Sequence, residues 1–360
     1  MTMRHALACA LAATLAACGE GGGATAPIVD PPVPPPPAGA PRLRVSGSRL
    51  VDAGGATIRL RGVNRSGAEY ACAQGWGMWD GPADSASVAA IAGWKANAVR
   101  VPLNESCWLG IGGVPAQYAG ASYQQAIAGY VGRLNRAGLV AILDLHWNAP
   151  GAEKALAQHP MPDRDHSPEF WRQVATAYKG NDAVVFDLFN EPYPDGNADT
   201  PEAWRCWREG GTCRGVPYTA AGMQELVDAV RGTGATNVVL AGGVQYAGTL
   251  TSWLANRPVD PTGNLAASWH VYNFGWCVTP ACWNAQAAPV AAQVPLVLGE
   301  IGQDDRGSAF VTSLMDWMDA HQGSYLAWSW DVWGQPLDLI TSYDGTPTAY
   351  GQTFRTRFGS

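Results

Sequence analysis

The sequence predicts a single closed (β/α)₈ barrel, and the prediction depends on two features. From about residue 42 onward, eight short runs of apolar and β-branched residues alternate with amphipathic helical stretches. Such alternation is typical of parallel strands joined by helical crossovers, and strands that are apolar throughout fit a sheet covered on both faces. Eight units in a chain of this length favour closure into a barrel. An open doubly wound sheet is the alternative, although no GxGxxG motif follows the first run.

The predicted elements follow in chain order. The eight strands are short runs that mostly end in polar residues: 57–64, 97–104, 139–147, 183–192, 236–244, 265–272, 294–302 and 324–333. The helices have an apolar period near 3.6 residues: 85–96, 123–138, 168–178, 221–234 and 308–322, with a weaker pattern in 249–256 and 282–293. Residues 42–60 predict a small hairpin that closes the barrel floor, with Ala53, Gly54 and Gly55 as its turn.

The N-terminal residues predict export rather than a folded domain. Arg4 precedes an apolar stretch, residues 6–17, that is too short to span a bilayer as a helix. The stretch ends in Leu-Ala-Ala-Cys, which resembles the lipobox of bacterial lipoprotein signal peptides and implies a lipid on Cys18. An ordinary secretory signal is the alternative.

These N-terminal patterns define three segments of the chain. We predict a signal peptide in residues 1–17, a Gly/Pro-rich linker in residues 18–41 and the barrel domain in residues 42–360. The protein is then anchored by its lipid to the outer membrane or cell surface, or is otherwise periplasmic or secreted. The lipid anchor is the only membrane contact that we expect.

Composition narrows the partners of the chain. The formal net charge is -7 and only 15% of residues are charged, so the sequence lacks the basic footprint of a nucleic-acid-binding protein. We expect a monomer.

Six cysteines remain besides Cys9 in the signal and Cys18: Cys72, Cys107, Cys206, Cys213, Cys277 and Cys282. Six cysteines allow 15 pairings, so the connectivity is formally open. Proximity in sequence favours 206–213 and 277–282, which leaves 72–107. A metal site is the alternative, but neither a CxxC pair nor clustered histidines accompany these cysteines.

Chemically active side chains fall at or near the ends of six predicted strands. They are Arg100, His146, Asn190, Glu191, His270, Tyr272, Glu300 and Trp328. Active sites of (β/α)₈ barrels lie at the carboxyl ends of the strands, so these side chains should face one rim. Glu191 and Glu300 should then face each other across the mouth, and a carboxyl pair that flanks an acetal bond performs glycoside hydrolysis. The distance between the two carboxyl groups predicts whether the anomeric configuration is retained or inverted.

The segment Phe189-Asn190-Glu191-Pro192 resembles the NEP signature of glycoside hydrolase family 5, and the resemblance covers most of residues 42–355. It implies that Glu191 is the general acid/base and that Glu300, in Leu-Gly-Glu, is the nucleophile. It also implies that Asn190 binds the sugar 2-hydroxyl and that Arg100 keeps the nucleophile ionised. The remaining implied supports are His146, His270, Tyr272 and Trp328, with Trp330 as a competitor for the stacking position.

The resemblance implies a retaining β-glycoside hydrolase that acts on a polysaccharide, with an endo-β-1,4-glucanase as the leading expectation. An exo-acting β-glycosidase, a mannanase, a transglycosylase and a non-catalytic glycan-binding surface lipoprotein remain alternatives. We expect neither a metal nor another cofactor, because two carboxylates suffice for the chemistry. We also expect the charge of Glu300 to raise the pKa of Glu191.

Overall fold

A computed structural model describes residues 39–360 of the chain. The predicted signal peptide, Cys18 and nearly all of the predicted linker lie outside the described residues. Within residues 39–360, eight parallel strands close into one barrel, which confirms the predicted fold class and excludes the open sheet. No helix in this part of the chain is long and apolar enough to cross a membrane.

The barrel strands, here numbered 1 to 8 in chain order, all lie inside the predicted ranges. They are Arg61–Asn64, Ala98–Asn104, Val140–Trp147, Val184–Asp187, Val239–Gly242, Leu265–Tyr272, Leu296–Gly302 and Ser324–Ala327. Strand 4 ends at Asp187, earlier than predicted. Its backbone nevertheless stays anchored, because Leu188 N–H donates to the strand 5 carbonyl of Leu240, and Asn190 N–H donates to the strand 3 carbonyl of Leu145.

Helices surround the barrel, and the five predicted with a clear period are present. All α-helices of the described residues are Ala71–Gln74, Ser85–Gly93, Glu105–Leu109, Ala121–Arg136, Ser167–Tyr178, Pro194–Asn197, Pro201–Glu209, Met223–Arg231, Trp253–Asn256, Pro280–Gln286, Ala288–Ala291, Ala309–Ala320 and Ala349–Phe358, with a 3₁₀-helix at Ala116–Tyr118. The predicted helix 282–293 is divided in two at Ala287. Pro289 explains the division, since proline has no N–H and favours the first turn of a new helix.

The barrel interior is apolar at its amino-terminal end. Inward-facing side chains of the strands pack there with Leu43 and Leu50 from the segment that precedes the barrel. That segment does contain the predicted hairpin, Arg44–Ser46 paired with Arg49–Val51, but its turn is at Gly47 instead of Ala53-Gly54-Gly55. Gly47 has φ +59°, which glycine adopts without strain. The predicted turn residues belong to a second reversal, which leads to the bridge between Val51 and Thr57.

The loops at the opposite, carboxyl end of the barrel are long and cross-linked. Two short hairpins are present in the connecting segments. Gly210–Thr212 pairs with Thr219–Ala221 after strand 4, and Ile340–Ser342 pairs with Thr346–Pro347 after strand 8. Three disulfides are present, Cys72–Cys107, Cys206–Cys213 and Cys277–Cys282, with the pairing that sequence proximity favours. The first joins the loop after strand 1 to the loop after strand 2. The other two each close a small loop beside the barrel mouth.

Candidate active site

A cavity of about 520 Å³ opens at the carboxyl ends of the strands. Seven of the eight predicted site residues line it: His146, Asn190, Glu191, His270, Tyr272, Glu300 and Trp328. The eighth, Arg100, is fully buried and contacts two of the lining side chains. The structure therefore brings together all the side chains that the strand ends predicted.

Arg100 is the electrostatic centre of the site. Its guanidinium lies 2.9 Å from Asp187, 3.1 Å from Asp144 and 2.9 Å from Glu300. Burial by itself lowers the pKa of Arg100, but these three carboxylates raise it more, so that the group stays charged. It also donates to Asn190 Oδ1 at 2.8 Å, so that this atom is the acceptor end of the Asn190 amide.

Glu300 lies at the end of strand 7 and is almost fully buried. Oε1 accepts from Arg100 at 2.9 Å, and Oε2 accepts from the Tyr272 hydroxyl at 2.5 Å. Burial and neighbouring negative charge raise the pKa of Tyr272 well above its ordinary value, so the phenol keeps its proton and remains a donor. A guanidinium and a phenol thus each donate a hydrogen bond to a different oxygen of Glu300.

Glu191 has a different environment. Its side chain retains 19% of its exposure to solvent and lies 3.0 Å from His270 Nδ1. Burial lowers the pKa of His270 to about 3, so the imidazole is neutral at pH 7. The pKa of Glu191 is raised, and burial is the cause. The direction is as predicted, and burial is its largest cause.

The two carboxyl groups are close together. One oxygen of Glu191, one oxygen of Glu300 and a ring nitrogen of His270 all lie within 4.8 Å of one another. Three such atoms could also ligate a metal ion. At Glu300, however, the Arg100 guanidinium already supplies the positive charge that a metal ion would bring.

His146 and Trp328 form one wall of the cavity. Asp144 Oδ2 lies 2.6 Å from His146 Nδ1, and the imidazole stacks on the Trp328 indole at 5.8 Å between ring centroids. Trp330, the competitor for the stacking position, is fully buried and packs edge-on against Trp94 at 4.7 Å. The structure therefore places Trp328 in the cavity and Trp330 in the core.

Gly299 allows Glu300 to lie this close to strand 6. A Cβ atom at Gly299 would lie 2.7 Å from His270 Nε2 and 2.9 Å from Ser268 Oγ, distances that real Cβ contacts do not show. The Leu-Gly-Glu sequence is thus explained by a close approach of two strands at the site.

Polar residues that were not predicted also bond to members of the site. Asn64, at the end of strand 1, accepts from Arg100 at 3.1 Å, and Asp187, at the end of strand 4, accepts from it at 2.9 Å. Both obey the strand-end rule and could have been found by it. Gln158 lies in the loop after strand 3 and bonds to Asn190 and Glu191. No periodicity or motif marks it in the sequence.

Two groups of aromatic side chains come from loops at the carboxyl ends of the strands. Tyr246, Phe274 and Trp276, from the loops after strands 5 and 6, line the cavity and are well exposed. On the side of strands 1 and 8, Tyr70 lies 5.7 Å from Trp76, 6.1 Å from Trp147 and 6.3 Å from Trp333 between ring centroids. Aromatic faces suit the flat apolar faces of a ligand.

The family model Cellulase (glycosyl hydrolase family 5) matches residues 51–334. A mannan endo-1,4-beta-mannosidase of Streptomyces lividans is 24% identical over 330 residues, which cover 88% of this chain and 74% of the relative. A manganese-dependent endoglucanase, Eg5A of Phanerodontia chrysosporium, is 26% identical over 59% of this chain and 52% of its own length.

Solved structures share the fold at low sequence identity. The β-glucanase SdGluc5_26A of Saccharophagus degradans in complex with cellotetraose has a TM-score of 0.68 and 21% identity, over 89% of this chain and 93% of that chain. The catalytic domain of a mannanase from Streptomyces sp. SirexAA-E has a TM-score of 0.63 and 23% identity, over 90% of this chain and 92% of that chain.

Proposed function

Because this chain belongs to glycosyl hydrolase family 5 and is a glycoside hydrolase, we propose that it cleaves a β-1,4-linked polysaccharide internally, with retention of configuration. The observation that supports retention most directly is the short distance between the carboxyl groups. Retaining enzymes hold the pair about 5 Å apart, whereas inverting enzymes leave room for a water molecule at about 6.5–9.5 Å. Oxygens of Glu191 and Glu300 within 4.8 Å of each other fit the first class.

The proposed mechanism assigns the two carboxyl groups by their surroundings. Glu300, beside Arg100 and Tyr272, attacks the anomeric carbon as a carboxylate. Glu191, whose pKa is raised by burial, gives its proton to the leaving glycosidic oxygen as the C–O bond breaks. The resulting glycosyl ester is attacked by water, and Glu191 takes the proton of that water. Glu300 is released as a carboxylate and both groups return to their initial states.

The aromatic groups on both sides of the carboxyl pair support internal cleavage. Loops after strands 5 and 6 and loops after strands 1 and 8 lie on opposite sides of the barrel, so a sugar chain stacked on both sets would pass over Glu191 and Glu300. A pocket that accepts only a chain end would be closed on one side. The exo-acting β-glycosidase is therefore the weaker alternative.

We propose a β-1,4-glucan as the first substrate to test and a β-1,4-mannan as the second. The glucan is supported by the match to the cellulase family and by the relative that is an endoglucanase. The mannan has one observation in its favour, since the mannosidase relative aligns with 88% of the chain, a larger share than the endoglucanase does.

The deciding experiment is chromatography of the products that the protein releases from soluble β-glucan, mannan, xylan and xyloglucan. We expect a ladder of oligosaccharides from one of these polymers and no ladder from Glu300→Gln. Release of monosaccharide alone would contradict internal cleavage. Absence of product from every polymer and from aryl glycosides would favour the non-catalytic glycan binder.

We also propose that the protein is exported and carries a lipid on Cys18, on the basis of the lipobox-like sequence alone. Intact-mass spectrometry of protein from bacterial membranes tests this. We expect a mass that corresponds to an acylated chain starting at Cys18, and a soluble, unacylated protein for Cys18→Ser. A protein that lacks the lipid would instead fit an ordinary secretory signal.

A further inference from the structure

Gln158 bonds to both consecutive residues of the Asn190-Glu191 pair. Its Oε1 accepts from Asn190 Nδ2 at 2.8 Å, and its Nε2 donates to the main-chain oxygen of Glu191 at 3.0 Å. Both halves of the carboxamide are therefore used, and they act on neighbouring residues of the turn after strand 4. The side chain also lines the cavity, so it lies where a bound sugar would be.

The backbone beside Gln158 continues this contact. The Tyr193 hydroxyl donates to the Gln158 carbonyl at 3.2 Å, and Tyr193 N–H donates to the Pro160 carbonyl at 2.9 Å. The segments 158–160 and 190–193 thus lie side by side over four hydrogen bonds. The turn that carries Glu191 is supported from the strand 3 loop as well as from its own strand.

The strand 3 loop is in turn fixed from the loop after strand 2. Asn104 Nδ2 donates to the Ala155 carbonyl at 2.8 Å, and Ala155 N–H donates to Ser106 Oγ at 3.1 Å. Leu156 and Ala157, between this anchor and Gln158, are exposed to solvent. Gln158 is therefore the inner end of a short, solvent-facing span whose outer end is held.

The amide of Asn190 has its orientation fixed at both ends. Oδ1 accepts from Arg100 at 2.8 Å, and Nδ2 donates to Gln158. An amide with one partner fixed can still tilt, whereas partners on both ends hold its plane. Without Gln158, Asn190 Nδ2 would lose its acceptor and the main-chain oxygen of Glu191 would lose a donor.

We infer that Gln158 is a positioning residue for the reaction, which holds the Asn190 amide and the Glu191 backbone in their productive orientation. The inference rests on the proposed function. It assigns a loop residue, rather than a strand end, to the support of the acid/base. Displacement of a catalytic group by a fraction of an ångström slows the chemical step more than it weakens substrate binding.

The test uses the full chain with two substitutions, Gln158→Leu and Gln158→Glu. Leucine removes both hydrogen bonds, so we expect kcat on the polysaccharide that the wild type cleaves to fall about tenfold, with KM changed less than about twofold. Glutamate keeps the acceptor for Asn190 but brings a negative charge beside Glu191. We expect it to move the alkaline limb of the pH–rate profile to higher pH, an effect that requires residue 158 to lie beside Glu191 in the working enzyme.

Gln124→Leu is the matched control. Gln124 is also a partly buried glutamine whose amide makes two side-chain hydrogen bonds, to the Trp108 carbonyl at 2.9 Å and to Gln173 at 3.3 Å, and it does not line the cavity. We expect its kinetics to match those of the wild type. Wild-type kcat in Gln158→Leu, or an unshifted alkaline limb in Gln158→Glu, would overturn the inference.

A second measurement does not require turnover. Titration of Glu191 by ¹³C NMR in the wild type and in Gln158→Glu should show a higher Glu191 pKa in the variant, and an unchanged titration would overturn the inference. An inactive wild type would contradict the proposed function, and the NMR titration would still decide the position of Gln158 relative to Glu191.

Discussion

Two groups of buried carboxyl side chains lie at the carboxyl end of this barrel, and they differ in whether a cationic side chain lies beside them. Asp144, Asp187 and Glu300 surround Arg100. Glu105 and Asp163 both lie within hydrogen-bond distance of Ser167 Oγ, at 2.6 and 3.4 Å. Within the described residues 39–360, neither member of this second pair has a cationic partner within 4 Å.

The two groups show what one guanidinium does to buried acids. Burial raises the pKa values of Asp144 and Asp187, but Arg100 lowers them, so that both are about 7. Burial raises the pKa of Glu105 well above its ordinary value, and Asp163 raises it further, first through its negative charge and then through a hydrogen bond. Asp144 and Asp187 can therefore still ionise near neutral pH beside Arg100. The second group holds a proton and joins the loops after strands 2 and 3.

The largest expected effect belongs to the two proposed catalytic residues. Glu300→Gln should lower kcat/KM on the polysaccharide by on the order of 10⁴-fold, because no nucleophile remains. Glu191→Gln should cost about 10²–10⁴-fold, the usual contribution of a general acid/base. Both variants should keep the wild-type circular dichroism spectrum.

Glu225→Gln is the matched control for these variants, since Glu225 also pairs with an arginine at 2.9 Å but on the surface. It should keep full activity. A folded Glu300→Gln with near-normal turnover would contradict the proposed mechanism.

Arg100→Met should have the second largest effect, because it leaves the carboxyl groups around Arg100 without a cationic partner, as Glu105 and Asp163 are in the described part of the chain. Three buried carboxylates would lose their common cation, and breaking a buried ion pair costs about 3–5 kcal/mol of unfolding free energy. Urea denaturation measures this loss. Arg164→Met, at the exposed partner of Glu225, should cost less than about 1 kcal/mol. Equal losses for the two variants would mean that Arg100 does not hold the group together.

Tyr272→Phe should have a smaller effect on activity. It removes the hydrogen bond to Glu300 Oε2 while Arg100 remains, and a hydrogen bond to a charged group contributes about 1.5–3 kcal/mol. We expect kcat to fall about 10- to 100-fold. Tyr218→Phe, which removes a hydrogen bond to the Met161 carbonyl, should leave kcat unchanged. A Tyr272→Phe variant that loses stability but keeps the wild-type kcat would contradict this prediction.

Glu105→Gln should have the smallest effect, and its sign depends on pH. The folded state keeps Glu105 protonated above the pH at which the unfolded chain ionises it, so the unfolded state binds fewer protons in that range. The unfolding free energy of the wild type then falls as pH rises from about 4.3 toward the raised pKa. Glutamine does not ionise, so the variant avoids this loss.

Relative to the wild type, Glu105→Gln should therefore become more stable as the pH rises from 4 to 8. Thermal unfolding at the two pH values measures it, with Glu225→Gln as the control. A difference between variant and wild type that stays constant with pH would show that Glu105 is ionised in the folded protein.

The sequence by itself determined the barrel and most of the side chains around its mouth. Apolar runs of strand length that alternate with helices permit few other arrangements, and parallel strands bring their carboxyl ends to one rim. Strand-end position therefore predicted that Arg100, Glu191 and Glu300 would meet, although they are far apart in the chain. The catalytic roles assigned to Glu191 and Glu300 stay predictions until the variants are measured.

Only the tertiary structure decided the remaining features. Trp328 and Trp330 are two residues apart, so an extended strand would place both side chains on the same face. Strand 8 ends at Ala327, and beyond it Trp328 faces the cavity whereas Trp330 packs in the core. The distance between Glu191 and Glu300 depends on the closure of the barrel, and the cause of the raised Glu191 pKa depends on burial. Gln158 reaches Asn190 because two loops lie side by side. Local periodicity determines which way a strand residue points, but distances across the mouth and contacts between loops arise from long-range packing.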